Sequence, residues 1–209
     1  MIRTVNFIIG DTTYTCDSLS LVLTDCSIAI PTPKTYSVDI PFRNGSLDLT
    51  DYFGGLKYDN RPIELKFNST IKSNQTQRVK KIVNLLNGKK MKLVFSFDEN
   101  HYYEGRATVS HMDLTRQAFN FKLSVDCQPY KLEVEETSVN LVAGDNVLEN
   151  DEKIVNATIT NGSQSNTVTF GGSVNTLSAN ETFVIQLTSG TNTINITNNA
   201  TITYRKGCL

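Results

Sequence analysis

The 209-residue chain contains no tryptophan and only two histidines, His101 and His111. Its four cysteines, Cys16, Cys26, Cys127 and Cys208, form no C-x-x-C pair and stand at no zinc-finger spacing from either histidine. No stretch approaches the roughly 20 apolar residues of a membrane-spanning helix. The apolar run Phe7-Ile8-Ile9 is too short for the core of a secretory signal. These absences lead us to expect a cytosol-made protein with no membrane insertion and reduced, mostly buried thiols. A Cys16–Cys26 bridge across a hairpin also fits the spacing.

Motifs for chemistry are missing as well. There is no G-x-S-x-G elbow. Gly88-Lys89-Lys90 lacks the upstream glycine and the Ser/Thr of a phosphate-binding loop, and no acidic cluster has calcium-loop spacing. His101 with Glu104 offers an acid–base pair in principle, but no nucleophile motif accompanies it. The expectation is a protein that is not an enzyme, with no catalytic residue, no metal and no cofactor.

What the chain does have is β pattern. Net charge is −1 and 39% of residues are hydrophobic, as in ordinary globular domains. Val5–Ile9, Gly10-Asp11 and Thr12–Cys16 read as a hairpin, and Leu19–Leu23 continues the extended pattern. Pro31 and Pro33 break the ladder, so 30–36 reads as an arm or edge segment. Met91–Phe97, a turn at Asp98-Glu99-Asn100, and Tyr102–Ser110 read as strand, turn and strand. Ala118–Val125 alternates again.

One helix is predicted over about 75–87. Val79, Ile82, Val83, Leu85 and Leu86 fall on one face, with Arg78, Lys80, Lys81 and Asn84 opposite. Ser73 and Asn74 are N-cap types, Gly88 suits a left-handed C-cap, and Lys89 and Lys90 suit the negative end of the helix. The basic face reads as solvated helix surface.

Near residue 132 the composition changes. Residues 1–131 hold 17 basic and 13 acidic side chains, a balance of +4; residues 132–209 hold 3 and 8, a balance of −5. Neither balance argues for specific nucleic-acid binding. Short alternating runs at Val139–Val142, Ile154–Ile159, Thr167–Phe170, Thr182–Leu187, Thr193–Ile196 and Thr201–Tyr204 are separated by turn residues at Gly144-Asp145-Asn146, Asn161-Gly162, Gly171-Gly172 and Ser189-Gly190. They predict a small antiparallel sandwich. Sugar recognition is disfavoured there, since only Phe170, Phe183 and Tyr204 are aromatic and all three lie in alternating runs. The Asn-x-Ser/Thr triplets, such as Asn156-Ala157-Thr158, read as an Asn/Thr-rich surface.

Six strings, in order, resemble the distal tail (Dit) proteins of long-tailed phages. They are Tyr36-Ser37-Val38-Asp39-Ile40-Pro41-Phe42-Arg43-Asn44-Gly45-Ser46-Leu47-Asp48-Leu49-Thr50; Tyr58-Asp59-Asn60-Arg61-Pro62-Ile63; Leu85-Leu86-Asn87-Gly88-Lys89; Tyr103-Glu104-Gly105-Arg106; Cys127-Gln128-Pro129-Tyr130-Lys131; and Tyr204-Arg205-Lys206-Gly207-Cys208-Leu209. The third departs from the family by carrying Leu and Asn where Trp and His are usual. The resemblance is firmest over 36–131 and loose over 132–203.

The resemblance implies a mainly β chain. Residues 1–131 would form a β-sandwich or split-barrel-like ring domain with one helix, and 132–209 a small galectin-like β-sandwich. It implies a homo-oligomeric ring, usually a hexamer, at the tail tip of a virion assembled in the host cytoplasm. The ring would join the tail tube protein to the tail-associated tip protein and line the channel that DNA crosses. Receptor-binding or other baseplate proteins would attach outside. On that reading, contacts between copies fall on the arm and strand 19–50. Phe42, Leu47 and Leu49 are apolar anchors, and Arg43 and Arg61 polar partners. Intramolecular core is an equal reading for Phe42 and Leu49. The alternative function is a carbohydrate-binding or receptor-binding module of the baseplate.

Overall fold

Alternating apolar residues build the first of two compact units, Met1–Pro129 with Leu209. The computed structural model describes residues 4–53, 56–69, 71, 73–114, 119–150 and 155–209. In chain order the unit contains β1 (Val5–Ile9), β2 (Thr12–Thr15), β3 (Leu21–Ile28), β4 (Pro33–Lys34), β5 (Ser37–Asp39) and β6 (Ser46–Asp48). A 3-10 turn (Thr50–Phe53) and β7 (Lys57–Tyr58) follow, then β8 (Arg61–Ser69), α1 (Gln75–Leu86), β9 (Lys90–Phe95), β10 (Asp98–Leu114) and β11 (Phe119–Cys127). Strands β2-β1-β9-β10-β11-β8-β3 form one antiparallel sheet in that order.

The period of two decides which face is buried. In β8, Ile63, Leu65 and Phe67 are buried and the residues between them exposed; in β11, Phe119, Phe121, Leu123, Val125 and Cys127 are buried and the residues between them exposed or half-buried. Phe67 stacks on its register partner Phe121 across β8 and β11 at 5.0 Å, and within the shared core it meets Phe7 of the non-adjacent β1 at 5.8 Å. The helix α1 adds Ile82 and Leu86 to the same core, with Val79 and Leu85 packed against it.

Both ends of α1 have specific geometry. Asn74 is the N-cap residue, as expected, and its carbonyl accepts the Arg78 N–H (3.1 Å), but it is left-handed (φ 53°) and its side chain makes no capping bond. At the other end Gly88 has φ 74°. Its N–H donates to the Ala107 carbonyl (2.8 Å), and its carbonyl accepts from the Arg106 guanidinium (2.7 Å). The Val109 N–H donates to the Asn87 side chain (3.0 Å), which completes the tie to β10.

Two expected boundaries move. The turn after β9 lies at Ser96-Phe97, not at Asp98–Asn100, and β10 already starts at Asp98, with an irregular register between Asp98 and Tyr103. Phe97 thus leaves the strand and stacks on Phe95 (5.1 Å). Ala118 and Ile154, expected to open strands, lie outside the described residues.

Gly105 sits in β10 opposite Cys127. A Cβ there would lie 2.4 Å from the Asp126 carbonyl oxygen and 2.7 Å from the Cys127 Cα. Only glycine permits this approach of the two backbones.

The second unit, Tyr130–Cys208, has its own core. Its elements are β12 (Lys131–Glu133), β13 (Thr137–Leu141), β14 (Gly144–Asn150), β15 (Val155–Asn161), β16 (Asn166–Phe170), β17 (Ser173–Leu177), β18 (Thr182–Leu187), β19 (Gly190–Ile196), β20 (Ala200–Tyr204) and β21 (Gly207–Cys208). Sheets β13-β20-β15-β18 and β14-β19-β16-β17 share one core, and β12 pairs β21. The chain changes sheet at every step from β13 to β20 except the β16–β17 hairpin, which is a jelly-roll order. Gly171 and Gly172, both at positive φ, make that hairpin turn. Gly144-Asp145-Asn146, expected as a turn, opens β14 instead.

Asparagine is structural in this unit. Asn150, Asn161, Asn166 and Asn192 are buried. Asn166 accepts from the Thr197 and Asn198 N–H groups (3.0 Å each) and donates to the Asn198 carbonyl (2.5 Å). Asn146 and Asn192 repeat one device: each amide NH2 donates to the carbonyls four and two residues back, and each Oδ1 accepts the N–H four residues back. Such amides satisfy turn backbones that would otherwise stay unpaired.

Candidate assembly surface

Between the adjacent strands β3 and β8 the first unit extends an arm. Its root continues the sheet, with the Ala29 N–H donating to the Pro62 carbonyl (3.2 Å). Beyond it β4 pairs β7, and β5 pairs β6. From Thr32 to Asn60 none of the described residues is buried. The segment still carries large apolar side chains in solvent: Tyr36, Ile40, Phe42, Tyr52 and Leu56, with Ile30 just before it. Two-stranded ribbons without a core are marginal in water. Covering one such side chain is worth about 1.5–3 kcal/mol.

Local hydrogen bonds give the arm its shape. The Thr50 N–H and hydroxyl both donate to Asp48 Oδ1 (2.9 and 2.6 Å), and the Tyr36 N–H donates to the Thr50 hydroxyl (2.9 Å). The Thr50 hydroxyl, then its N–H, holds the Asp48 carboxyl below its usual pKa. The Leu49 N–H donates to the Tyr36 carbonyl (2.8 Å). The Lys34–Asp59 ion pair (3.2 Å) is well exposed and worth little.

At the β5–β6 tip, the Arg43 N–H donates to the Ile40 carbonyl (3.1 Å). Pro41 and Phe42 lie between. Phe42 has φ 65° in the position where a turn of this kind normally holds glycine, and its side chain is fully exposed. A bulky residue in the left-handed region costs on the order of 1–3 kcal/mol, and such strain gathers at functional sites. Nothing is gained by burial within the chain to offset it.

The five sequence-predicted contact residues therefore separate. Phe42 and Arg43 are exposed at the tip; Leu47 and Leu49 are half-buried on the hairpin. Arg61 is only 4% exposed, and its guanidinium carbon lies 5.3 Å from the centroid of the Tyr103 ring. Its Nε has no partner among the described residues. Tyr52 and Ile30, 81% and 88% exposed, escaped sequence reasoning. Their signal was an aromatic or β-branched side chain in a segment too broken to build a core.

The polar candidates pair locally. His101 Nδ1 lies 2.6 Å from Asp98 Oδ1, so its partner is Asp98 and not Glu104; Glu104 pairs with Lys90 (3.1 Å). His111 faces Asp113 (3.2 Å). None of the four cysteines is in a disulfide. Burial pushes the Cys127 thiol up to about 12.

No family model matches this sequence, and no curated protein matches it. Solved structures do. SPP1 Dit (gp 19.1), described as a paradigm of the hub adsorption apparatus in phages that infect Gram-positive bacteria, superposes with a TM-score of 0.74 at 12% identity, over 98% of this chain and 99% of that one. A chain of the phage p2 baseplate, in its activated conformation with Sr, matches with a TM-score of 0.50 at 10% identity, over 99% of each chain. The chain has the Dit fold along essentially its whole length.

Proposed function

We propose that this chain, with its Dit fold, is a structural distal tail protein of a long-tailed phage. Copies of it form a closed ring, six by family expectation, between the tail tube protein and the tail-associated tip protein. DNA passes through the ring, and the role is not enzymatic. The second unit, read as the galectin-like sandwich, faces outward towards other baseplate proteins.

The observation that carries this reading is the arm, a folded excursion with no buried residue described between Thr32 and Asn60 and apolar side chains in solvent. A closed ring uses two different patches per copy, so an arm from one subunit can lie on the next. Covering Phe42 and its apolar neighbours offsets the strain at the turn. Arg43 then supplies a polar contact, and Leu47 and Leu49 back the hairpin. Arg61 supports the root of β8 from inside. Antibody labelling of virions tests the assignment: label at the tail tip is expected, and label only on the capsid or along the tube contradicts it.

A further inference from the structure

The chain contains three Asn-Gly steps, Asn44-Gly45, Asn87-Gly88 and Asn161-Gly162. A glycine nitrogen is unshielded by any Cβ, so it can attack the side-chain carbonyl of the asparagine before it. Folding locks two of the three steps. Asn87 Oδ1 accepts the Val109 N–H (3.0 Å), and the Gly88 N–H, which would have to attack, is committed to the Ala107 carbonyl (2.8 Å). Asn161 is 3% exposed, and its amide NH2 donates to the carbonyls of Gln164 and Ser178 (2.7 Å each). The Gly162 carbonyl accepts the Asn180 N–H (2.8 Å). Asn44-Gly45 has none of this. Both residues are exposed at the β5–β6 tip. Among the described residues neither the Asn44 side chain nor the Gly45 N–H has a hydrogen-bond partner. Gly45 has φ 72°, and no atom other than those of its chain neighbours lies within 4 Å of where a Cβ would sit.

We infer that Asn44 is a self-modification site, which turns into aspartate or isoaspartate in free chains and is shielded wherever the tip is covered. The Gly45 nitrogen gives up its proton and bonds to Asn44 Cγ. The Cγ–Nδ2 bond breaks, and Nδ2 leaves with that proton as ammonia. Water then opens the cyclic imide, its hydroxyl going to one carbonyl carbon and its proton back to the nitrogen. Addition at Cγ gives aspartate. Addition at the main-chain carbonyl gives isoaspartate, whose main chain runs through the side-chain carbons and is one methylene longer. The net change is one water consumed and one ammonia released, so no oxidant or co-reactant is required. Either product places a carboxylate beside Arg43, and isoaspartate also reshapes the turn that presents Phe42. Closure of the imide needs the 44–45 main chain to rotate, so a neighbouring subunit lying on the tip blocks it. The shielding rests on the proposed ring; the reaction itself does not.

The test incubates the full chain at mildly alkaline pH and physiological temperature, once as dissociated chains and once as assembled rings. Peptide mass spectrometry follows the amide-to-acid mass gain at the three asparagines, and isoaspartyl methyltransferase labels the isoaspartate. Locked sites react only through local opening, so Asn44 of the dissociated chain is expected to convert at least about tenfold faster than Asn87 or Asn161. In rings Asn44 should slow by about the same factor. Gly45→Ala puts a methyl beside the attacking nitrogen without meeting any neighbour. It is expected to slow Asn44 in free chains and leave the other two sites unchanged. Comparable rates at all three sites of the free chain, or a Gly45→Ala rate equal to the parent's, overturn the site. Conversion of Asn44 as fast in rings as in free chains overturns the shielding. Chains that convert at Asn44 yet never assemble contradict the ring and leave the site standing.

Discussion

The Arg43 N–H donates to the Ile40 carbonyl at 3.1 Å, and this closes a turn in which Phe42 takes a glycine's conformation. A chain optimised only to fold alone would place glycine there. We therefore expect Phe42→Gly to leave the monomer as stable as before, or more stable by about 1 kcal/mol, because relief of strain outweighs the added chain entropy. Association should fall sharply. Thermal melts and sedimentation together check the pair of outcomes.

Arg61→Met separates support from contact. A buried guanidinium whose Nε lacks a partner carries a desolvation cost, and an apolar side chain of similar length removes it. Stability within about 1 kcal/mol of the parent is expected, with association unchanged. A selective loss of association, read by sedimentation, would instead put Arg61 at the interface.

Gly105→Ala should destabilise the first unit by about 3 kcal/mol or more, since the new methyl meets backbone atoms that cannot step aside. Urea unfolding followed through the tyrosines reads the change. A loss under about 1 kcal/mol would contradict the close β10–β11 approach.

The buried Asn166 leads to a matching expectation in the second unit. Asn166→Ala strands the Asn198 N–H and carbonyl, leaves the Thr197 N–H only its bond to the Thr167 carbonyl (3.2 Å), and should cost about 2–4 kcal/mol. Amide exchange should rise at Asn198 first.

Cys127 couples stability to alkaline pH. Its thiol ordinarily ionises near 9 and is pushed up to about 12 by burial, then by Asp126. Above about 9 the unfolded chain releases that proton while the folded chain keeps it, so stability falls from there towards about 12. Melting temperature against pH should decline more steeply in the parent than in Cys127→Ala. Parallel declines would mean that Cys127 is not the source.

Much of the fold was legible because its periods are simple. The face Val79-Ile82-Val83-Leu85-Leu86 could only be a helix, and Ile63-Leu65-Phe67 or Phe119-Phe121-Leu123 only half-buried strands. Ser73 and Asn74 marked where the helix starts, but not the left-handed backbone of Asn74, whose side chain makes no capping bond. Gly144-Asp145-Asn146 looked like a turn because the Asn146 amide satisfies carbonyls locally even as β14 begins. Arg61 could not be placed from sequence, since burial beneath Tyr103 depends on the β8–β11–β10 register. Phe42 stood out in a motif, but its strain and exposure are visible only in three dimensions.

Native mass spectrometry of the purified protein, alone and with the proposed tube and tip partners, tests the central claim most directly. Closed rings of a single copy number are predicted for the parent, and monomer for Phe42→Gly under the same conditions. A parent that stays monomeric at high concentration with both partners present, or a Phe42→Gly protein that assembles as well as the parent, would contradict the account.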